Sequence, residues 1–234
     1  MVNSQQSPNM ILAALPLADF ELLRPNLQTI DMPRGLVLVR SGEIPDRAYF
    51  PHSGVIASYV TLSDGSIVET RITSSKGTLG AATGAGERPS FTSAVVRVDG
   101  MSSTIDYRSL YAGIDQSAAL RALLAKHEAF QQAMADQSIA CNAVHDAEAR
   151  LARRLLRLRR MSGDSRLAVT QEVLAEMLGL KRNAVSYVAH AMQETNVIRY
   201  SRGMLEIVDV EALRRLSCEC YDTVTAYRDV VDGD

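Results

Sequence analysis

The chain has 234 residues, 47% hydrophobic and 22% charged, with a formal net charge of −2. This is the make-up of a globular protein long enough for two domains, each with its own core. It excludes a disulfide-stapled miniature, with only Cys141, Cys218 and Cys220 present, and a membrane-spanning helix, because no apolar run approaches the ~20 residues a bilayer requires.

The opening MVNSQQSPNM lacks the basic start and apolar core of a signal peptide, so the expected location is the cytoplasm, with no membrane partner. Residues 10–30, punctuated by Pro16 and Pro25, read as a helical lead-in. From about residue 35 to 105, short β-rich runs (LVLVR, AYF, GVIASYVTL, SIVETRI, SAVVRV, SSTIDY) alternate with turn signals, the pattern of an all-β sandwich or barrel. Asp64-Gly65 between two such runs predicts a hairpin. Within this region Gly42 to Val55 combines a glycine turn, an acidic pair, two aromatics entering a strand and a second glycine turn.

The spacing predicts a helix from about Ser117 to 143. Leu120, Leu124, His127, Gln131, Met134, Ser138, Cys141 and His145 recur at alternating steps of four and three, with Leu123, Phe130 and Val144 on a flank. So broad and only partly apolar a seam suits a helix shared between its own domain and a symmetry mate. A one-sided core helix is the alternative. Asp146 is the expected N-cap of a further helix over 147–161, which makes 143–146 a hinge.

Residues 170–193, TQEVLAEMLGLKRNAVSYVAHAMQ, carry the strongest pattern. Thr170 is the expected N-cap of a first helix whose apolar face is Val173, Leu174, Met177 and Leu178. Gly179 ends it in a tight turn, with small Ala175 before it and Val185 after it, the steric skeleton of a helix-turn-helix. In the second helix Val185, Val188, Ala189 and Met192 face a core, leaving Arg182, Asn183, Ser186, Tyr187 and His190 on the other side. These are side chains that hydrogen-bond to base edges and phosphates. Val197–Tyr200 and Met204–Val208 then form two β runs joined by Ser201-Arg202-Gly203, a wing with Arg202 at its tip, and Asp209 caps one final helix from Val210 to Val224. Residues 146–202 hold 11 Lys or Arg against 6 Asp or Glu, an excess of five that leaves about −7 for the rest. Local fields of this kind steer a protein toward phosphates.

The Gly42–Val55 segment resembles the centre of a cyclic-nucleotide-binding β-roll. Followed by this helix-turn-helix, it is similar to the bacterial transcription regulators of the Crp–Fnr family, over about residues 15–225. The resemblance implies an α+β architecture: a jelly-roll-like β-roll sensor over 1–115, a long dimerisation helix and hinge over 116–145, and a winged helix-turn-helix domain over 146–234. It further implies a homodimer on a pseudo-palindromic double-stranded DNA, with RNA polymerase as a family partner. The expected DNA-contacting residues are Thr170, Lys181, Arg182, Asn183, Ser186, Tyr187, His190 and Arg202. Arg182-Asn183-Ala184-Val185-Ser186-Tyr187 keeps the first arginine of the usual family helix and lacks its acidic residue and last arginine, which predicts a different operator.

The family's nucleotide cassette pairs Gly-Glu, for the ribose, with Arg-Ser or Arg-Thr, for the cyclic phosphate. Here Gly80, Ser93 and Ala94 fit, while Ala81 replaces the carboxylate and Thr92 the arginine; Arg88, four residues earlier, is the cation that a shifted loop would bring in. A phosphate buried without its guanidinium costs several kcal/mol, so no cyclic AMP dependence is expected. The effector is left open and no cofactor is assigned. Gly84-Ala85-Gly86 is no phosphate loop, since no Gly-Lys-Ser/Thr follows.

Cys141, His145, Cys218 and Cys220 are soft-metal or redox candidates. On a continuous helix, however, Cys218 and Cys220 would point about 200° apart, and a thiol in a helix seam is usually a small apolar group. A metal- or redox-responsive regulator is therefore kept as an alternative, beside a partner-binding module without DNA affinity. An enzyme is not expected, since the sequence has no nucleophile elbow, zinc-protease helix or Walker loop.

Overall fold

The computed structural model describes residues 7–82 and 85–232. Residues 1–6, part of the stretch read as lacking a signal peptide, and Gly84 of the glycine segment lie outside them. The elements are α1 (Met10–Ala13), α2 (Leu17–Leu23), β1 (Gln28–Met32), β2 (Val37–Val39), β3 (Arg47–Pro51), β4 (Val55–Thr61), β5 (Ile67–Thr73), β6 (Ser93–Val98), β7 (Gly100–Asp106), α3 (Tyr107–Gln116) and α4 (Ala118–Val144). There follow α5 (Ala147–Ser162), β8 (Arg166–Leu167), α6 (Gln171–Leu178), α7 (Arg182–Glu194), β9 (Ile198–Ser201), β10 (Met204–Ile207), α8 (Val210–Leu216) and α9 (Cys220–Asp232). The chain divides into two compact units, Met1–Val60 with Arg71–Gln131, and Thr61–Thr70 with Gln132–Asp234.

Strands β1 to β7 form two sheets, ordered β1-β7-β3 and β2-β6-β4-β5. Met32, Tyr49, Ile56, Ala94 and Val96, drawn from both sheets, form one apolar cluster. A second cluster sets Leu12, Leu23, Leu110 and Leu120 of the helices against Phe50 and Ile105 of the strands. The Asp64-Gly65 hairpin is present: Gly65 has φ +83°, and the Asp64 carboxylate accepts from the Ser66 amide at 2.9 Å.

Among the elements, four expectations from sequence change. Residues 28–30, read as part of the helical lead-in, belong to strand β1, which pairs antiparallel with β7; the helical run ends in a 3-10 turn at Arg24–Asn26, Leu27 is extended, and Thr29 and Ile30 favour the pleated surface. Helix α3 was hidden behind the strand run that ends at Tyr107; Asp106 caps it, accepting from the Ser109 amide. The single C-terminal helix expected from Val210 is two helices, because Ser217 turns extended (φ −72°, ψ 145°). Finally, the seam of α4 is already covered within the protomer, with Leu120, Leu124, His127, Gln131, Met134 and Cys141 all buried. The face left to solvent is another one, running through Ala122, Ala129 and Ile139.

In the second unit β8-β10-β9 form a small sheet, and α5 begins at the expected cap, Asp146, which accepts from the Ala149 amide. The arginine run of α5 is only partly solvated, with Arg160 exposed. Arg153 and Arg154 are buried, and the Arg150 guanidinium donates to the Leu178 carbonyl, satisfying the open C-terminal end of α6. Arg154 pairs with Glu69 at 3.4 Å, with only 5% and 1% of the two side chains exposed. Removing one partner of a buried pair leaves the other charge uncompensated, which costs about 3–5 kcal/mol. Glu69→Ala is expected to lower unfolding stability by about that amount in urea titrations, whereas the double replacement Glu69→Leu with Arg154→Met recovers most of it.

Candidate nucleic-acid interface

The corner between α6 and α7 follows from local chemistry. The Thr170 hydroxyl accepts from the Val173 amide at 3.2 Å and opens α6. Gly179 closes it in the left-handed region (φ +61°), with its own amide returning to the Glu176 carbonyl and that of Leu180 to Ala175. A side chain at this φ is strained, so the turn selects glycine. Leu174, Met177 and Leu178 of α6 and Val185, Ala189 and Met192 of α7 are buried. Val173 and Val188, expected beside them, are half-buried.

Turning those residues inward leaves the opposite face of α7 in solvent. Arg182, Asn183 and His190 are exposed, and Tyr187 keeps 79% of its surface. Lys181 is exposed at the N-cap and makes no side-chain cap. Ser186 is the exception in this set: its hydroxyl donates to Gln171 Oε1 at 2.8 Å and laces the two helices together. Arg182 lies 3.1 Å from Glu172 and His190 3.4 Å from Glu194, exposed pairs of small energetic weight that an anion can displace. Neither Glu172 nor Gln171 stood out in the sequence, since a residue in the first turn of a helix reads simply as a favourable dipole partner.

The two strands of the wing, β9 and β10, pair in register from Met204–Ser201 to Ile207–Ile198. At their tip Arg202 (φ +50°) and Gly203 (φ +78°) are both left-handed, the pattern of a two-residue type I′ hairpin. Arg202 thus stands out exposed in a conformation that costs a non-glycine residue roughly 1–2 kcal/mol. The basic residues left in solvent around this surface are Arg166, Lys181, Arg182, Arg199 and Arg202.

Residues 149–216 match the family described as the Crp-like helix-turn-helix domain. Among solved structures, a crp/fnr-family transcriptional regulator of Eubacterium rectale superposes with a TM-score of 0.72 at 19% identity, over 89% of this chain and 98% of that one. A CRP/FNR-family regulator of Thermus thermophilus gives 0.69 at 22% identity, over 81% and 98%. The c-di-GMP responsive global regulator CLP of Xanthomonas campestris gives 0.70 at 14%, over 83% and 100%. No curated protein matches the sequence. The fold is the one that these Crp–Fnr family regulators share. Its C-terminal part is a Crp-like helix-turn-helix domain.

In the N-terminal part of the chain, the five cassette positions have separate surroundings. Ala81 lies in the apolar cluster with Phe50, Ile105 and Tyr107. Gly80 (φ +80°) is covered by Tyr107, whose hydroxyl lies 2.6 Å from where a Cβ would stand. The Ser93 hydroxyl accepts from the Ser41 amide at 2.9 Å, Thr92 is half-buried and Arg88 is exposed.

The four soft-metal candidates, by contrast, come together. The ligand atoms of Cys141, His145, Cys218 and Cys220 all lie within 4.8 Å of one another. The divergence expected of Cys218 and Cys220 does not occur, because Cys218 sits in the break before α9 rather than on the helix. Burial pushes the thiols of Cys141 and Cys218 up, the latter to about 12.

The cap at Thr170 makes the corner itself testable. Thr170→Ala should cost about 1 kcal/mol in thermal unfolding, while Thr170→Ser, which keeps the acceptor, should cost little.

Proposed function

We propose that the chain is a sequence-specific DNA-binding transcription regulator, located in the cytoplasm, that acts as a homodimer on a pseudo-palindromic duplex. The observation that carries this reading is the polar ridge of α7: Arg182, Asn183, Tyr187 and His190 stand in solvent opposite buried Val185, Ala189 and Met192. A helix so divided fits the major groove with its outer residues against base edges. Arg182 supplies the bidentate donor fork for guanine, and Asn183 the paired donor and acceptor for adenine. Lys181, Thr170 and Arg202 hold phosphates, with Ser186 supporting the corner as well as reaching outward.

The dimer is supported by the second face of α4. Ala122, Ala125, Ala129, Gln132, Asp136 and Ile139 are exposed at alternating steps of three and four, and Ile139 leaves 69% of its surface in solvent. A stripe of this period, with small residues along half its length, allows two helices to approach closely along a two-fold axis. The seam proposed from sequence fills the protomer; this neighbouring stripe takes the role assigned to it. RNA polymerase is the further partner the family implies.

Cyclic AMP is not the effector in this reading. Ala81 inside an apolar cluster and Tyr107 over Gly80 leave those positions no carboxylate for a ribose, and Thr92 offers no charge to a phosphate.

Selection of bound duplexes from a random pool tests the proposal. The expected product is a pseudo-palindrome with half-sites about 34 Å apart. Arg182→Ala should lose about 1–3 kcal/mol of discrimination at one base pair per half-site while still eluting as a dimer; full operator preference in that variant would remove Arg182 from the reading. A partner-binding module would show almost no salt dependence on random duplex, whereas a regulator loses affinity steeply as salt rises. Arg202→Gly should shift both quantities in opposite directions, raising unfolding stability by roughly 1 kcal/mol and reducing the salt slope by about one per protomer.

A further inference from the structure

We infer that Cys141, His145, Cys218 and Cys220 form a tetrahedral Zn2+ site that fastens the end of α4 to the turn between α8 and α9. This goes beyond the DNA-binding reading and does not depend on it. Cys141 Sγ and Cys218 Sγ are 3.6 Å apart, and Cys220 Sγ and His145 Nδ1 are also 3.6 Å apart. Around a Zn2+ with ordinary bond lengths, neighbouring sulfurs stand about 3.8 Å apart and a sulfur and an imidazole nitrogen about 3.5 Å. The widest separation among the four ligand atoms is within 4.8 Å, so side-chain shifts of about 1 Å complete the tetrahedron.

The surroundings are those of a ligand shell rather than of packed thiols. Glu219 Oε2 lies 3.2 Å from His145 Nε2; it holds the proton on that nitrogen and turns the Nδ1 lone pair toward Cys220, the carboxylate-histidine arrangement that orients metal ligands. The Gln137 side-chain amide donates to Cys220 Sγ at 3.0 Å, a contact that orients the sulfur. Arg153 is 3% exposed, its Nε has no hydrogen-bond partner among the described residues, and its charge acts on Cys141 against the larger, opposite effect of burial. Three thiolates, a neutral imidazole and a divalent cation sum to one negative charge, which this buried guanidinium balances. When the metal binds, each cysteine releases its proton to solvent and no electron is transferred.

A disulfide accounts for less of the site. It would draw two sulfurs from 3.6 Å to about 2.05 Å, and it leaves the remaining cysteine, His145 and the aligned Glu219 without a role. Three sulfurs and one nitrogen in a closed shell are the donor set of structural zinc. The ligands come from both sides of the Asp146 cap, so an occupied site stiffens the 143–146 segment at the start of α5.

The test uses the full chain, purified under reducing conditions without chelator, with metal content measured by mass spectrometry. About one zinc per chain is expected. After the zinc is stripped, Co2+ should bind and give tetrahedral visible bands with a thiolate charge-transfer band. Cys220→Ser and His145→Ala should each lower stoichiometric uptake or shift that spectrum. Glu219→Gln, at a side chain 75% exposed, should stay folded by circular dichroism and bind Co2+ about 10–100-fold more weakly. A reduced, folded chain that arrives without metal and takes up no Co2+ would overturn the inference, as would bound Co2+ lacking the thiolate band. So would a Cys141–Cys218 disulfide in freshly isolated, metal-free protein. None of these readouts involves DNA, so they stand or fall apart from the operator experiments.

Discussion

The left-handed backbone at Gly179 is the constraint on which the C-terminal domain depends. With φ at +61°, the chain leaves α6 and starts α7 only a few residues later, and the amide of Leu180 folds back onto Ala175. That short return fixes which side of α7 meets the core. Val185, Ala189 and Met192 are taken inside, and everything half a turn away is left for solvent. Arg182 and Tyr187 are exposed because of a turn several residues upstream, not because polar side chains merely prefer water.

Buried charge is the second organising theme. A stretch of six arginines between 150 and 160 reads as a basic surface, yet the structure spends much of it inside. Arg150 closes the end of α6, Arg154 pairs with Glu69, and Arg153 is placed beside the thiols. Each carries a desolvation cost, which at Arg150 and Arg154 is met by a specific partner. The positive charge left at the surface therefore comes from fewer residues than the count suggests, chiefly those at the start of α7 and on the wing.

The same economy shapes α4. Its heptad seam is consumed within the protomer, from Leu120 to Cys141, and its alanine-rich stripe remains. Periodicity revealed that the helix has faces, but could not rank them: a half-apolar seam and an alanine stripe have the same period, and only the packing around them shows which is already covered.

What the sequence determined by itself is local. The caps at Asp146 and Thr170, the stop at Gly179, the Asp64-Gly65 hairpin and the two faces of α7 each follow from residues within a turn or two of one another, and the structure has all of them. Strand β1 and helix α3 escaped notice because each adjoins a stronger signal of the other kind, the proline-broken lead-in for one and a β-rich run for the other. What only the tertiary structure decided is long-range. Cys141 meets Cys218 across 77 residues, and Arg154 meets Glu69 across 85. The meeting of the thiols hinges on Ser217 turning extended, a backbone choice that no periodicity announces. Contacts of that separation depend on how finished elements pack, and packing is a property of surfaces that exist only once the chain has folded.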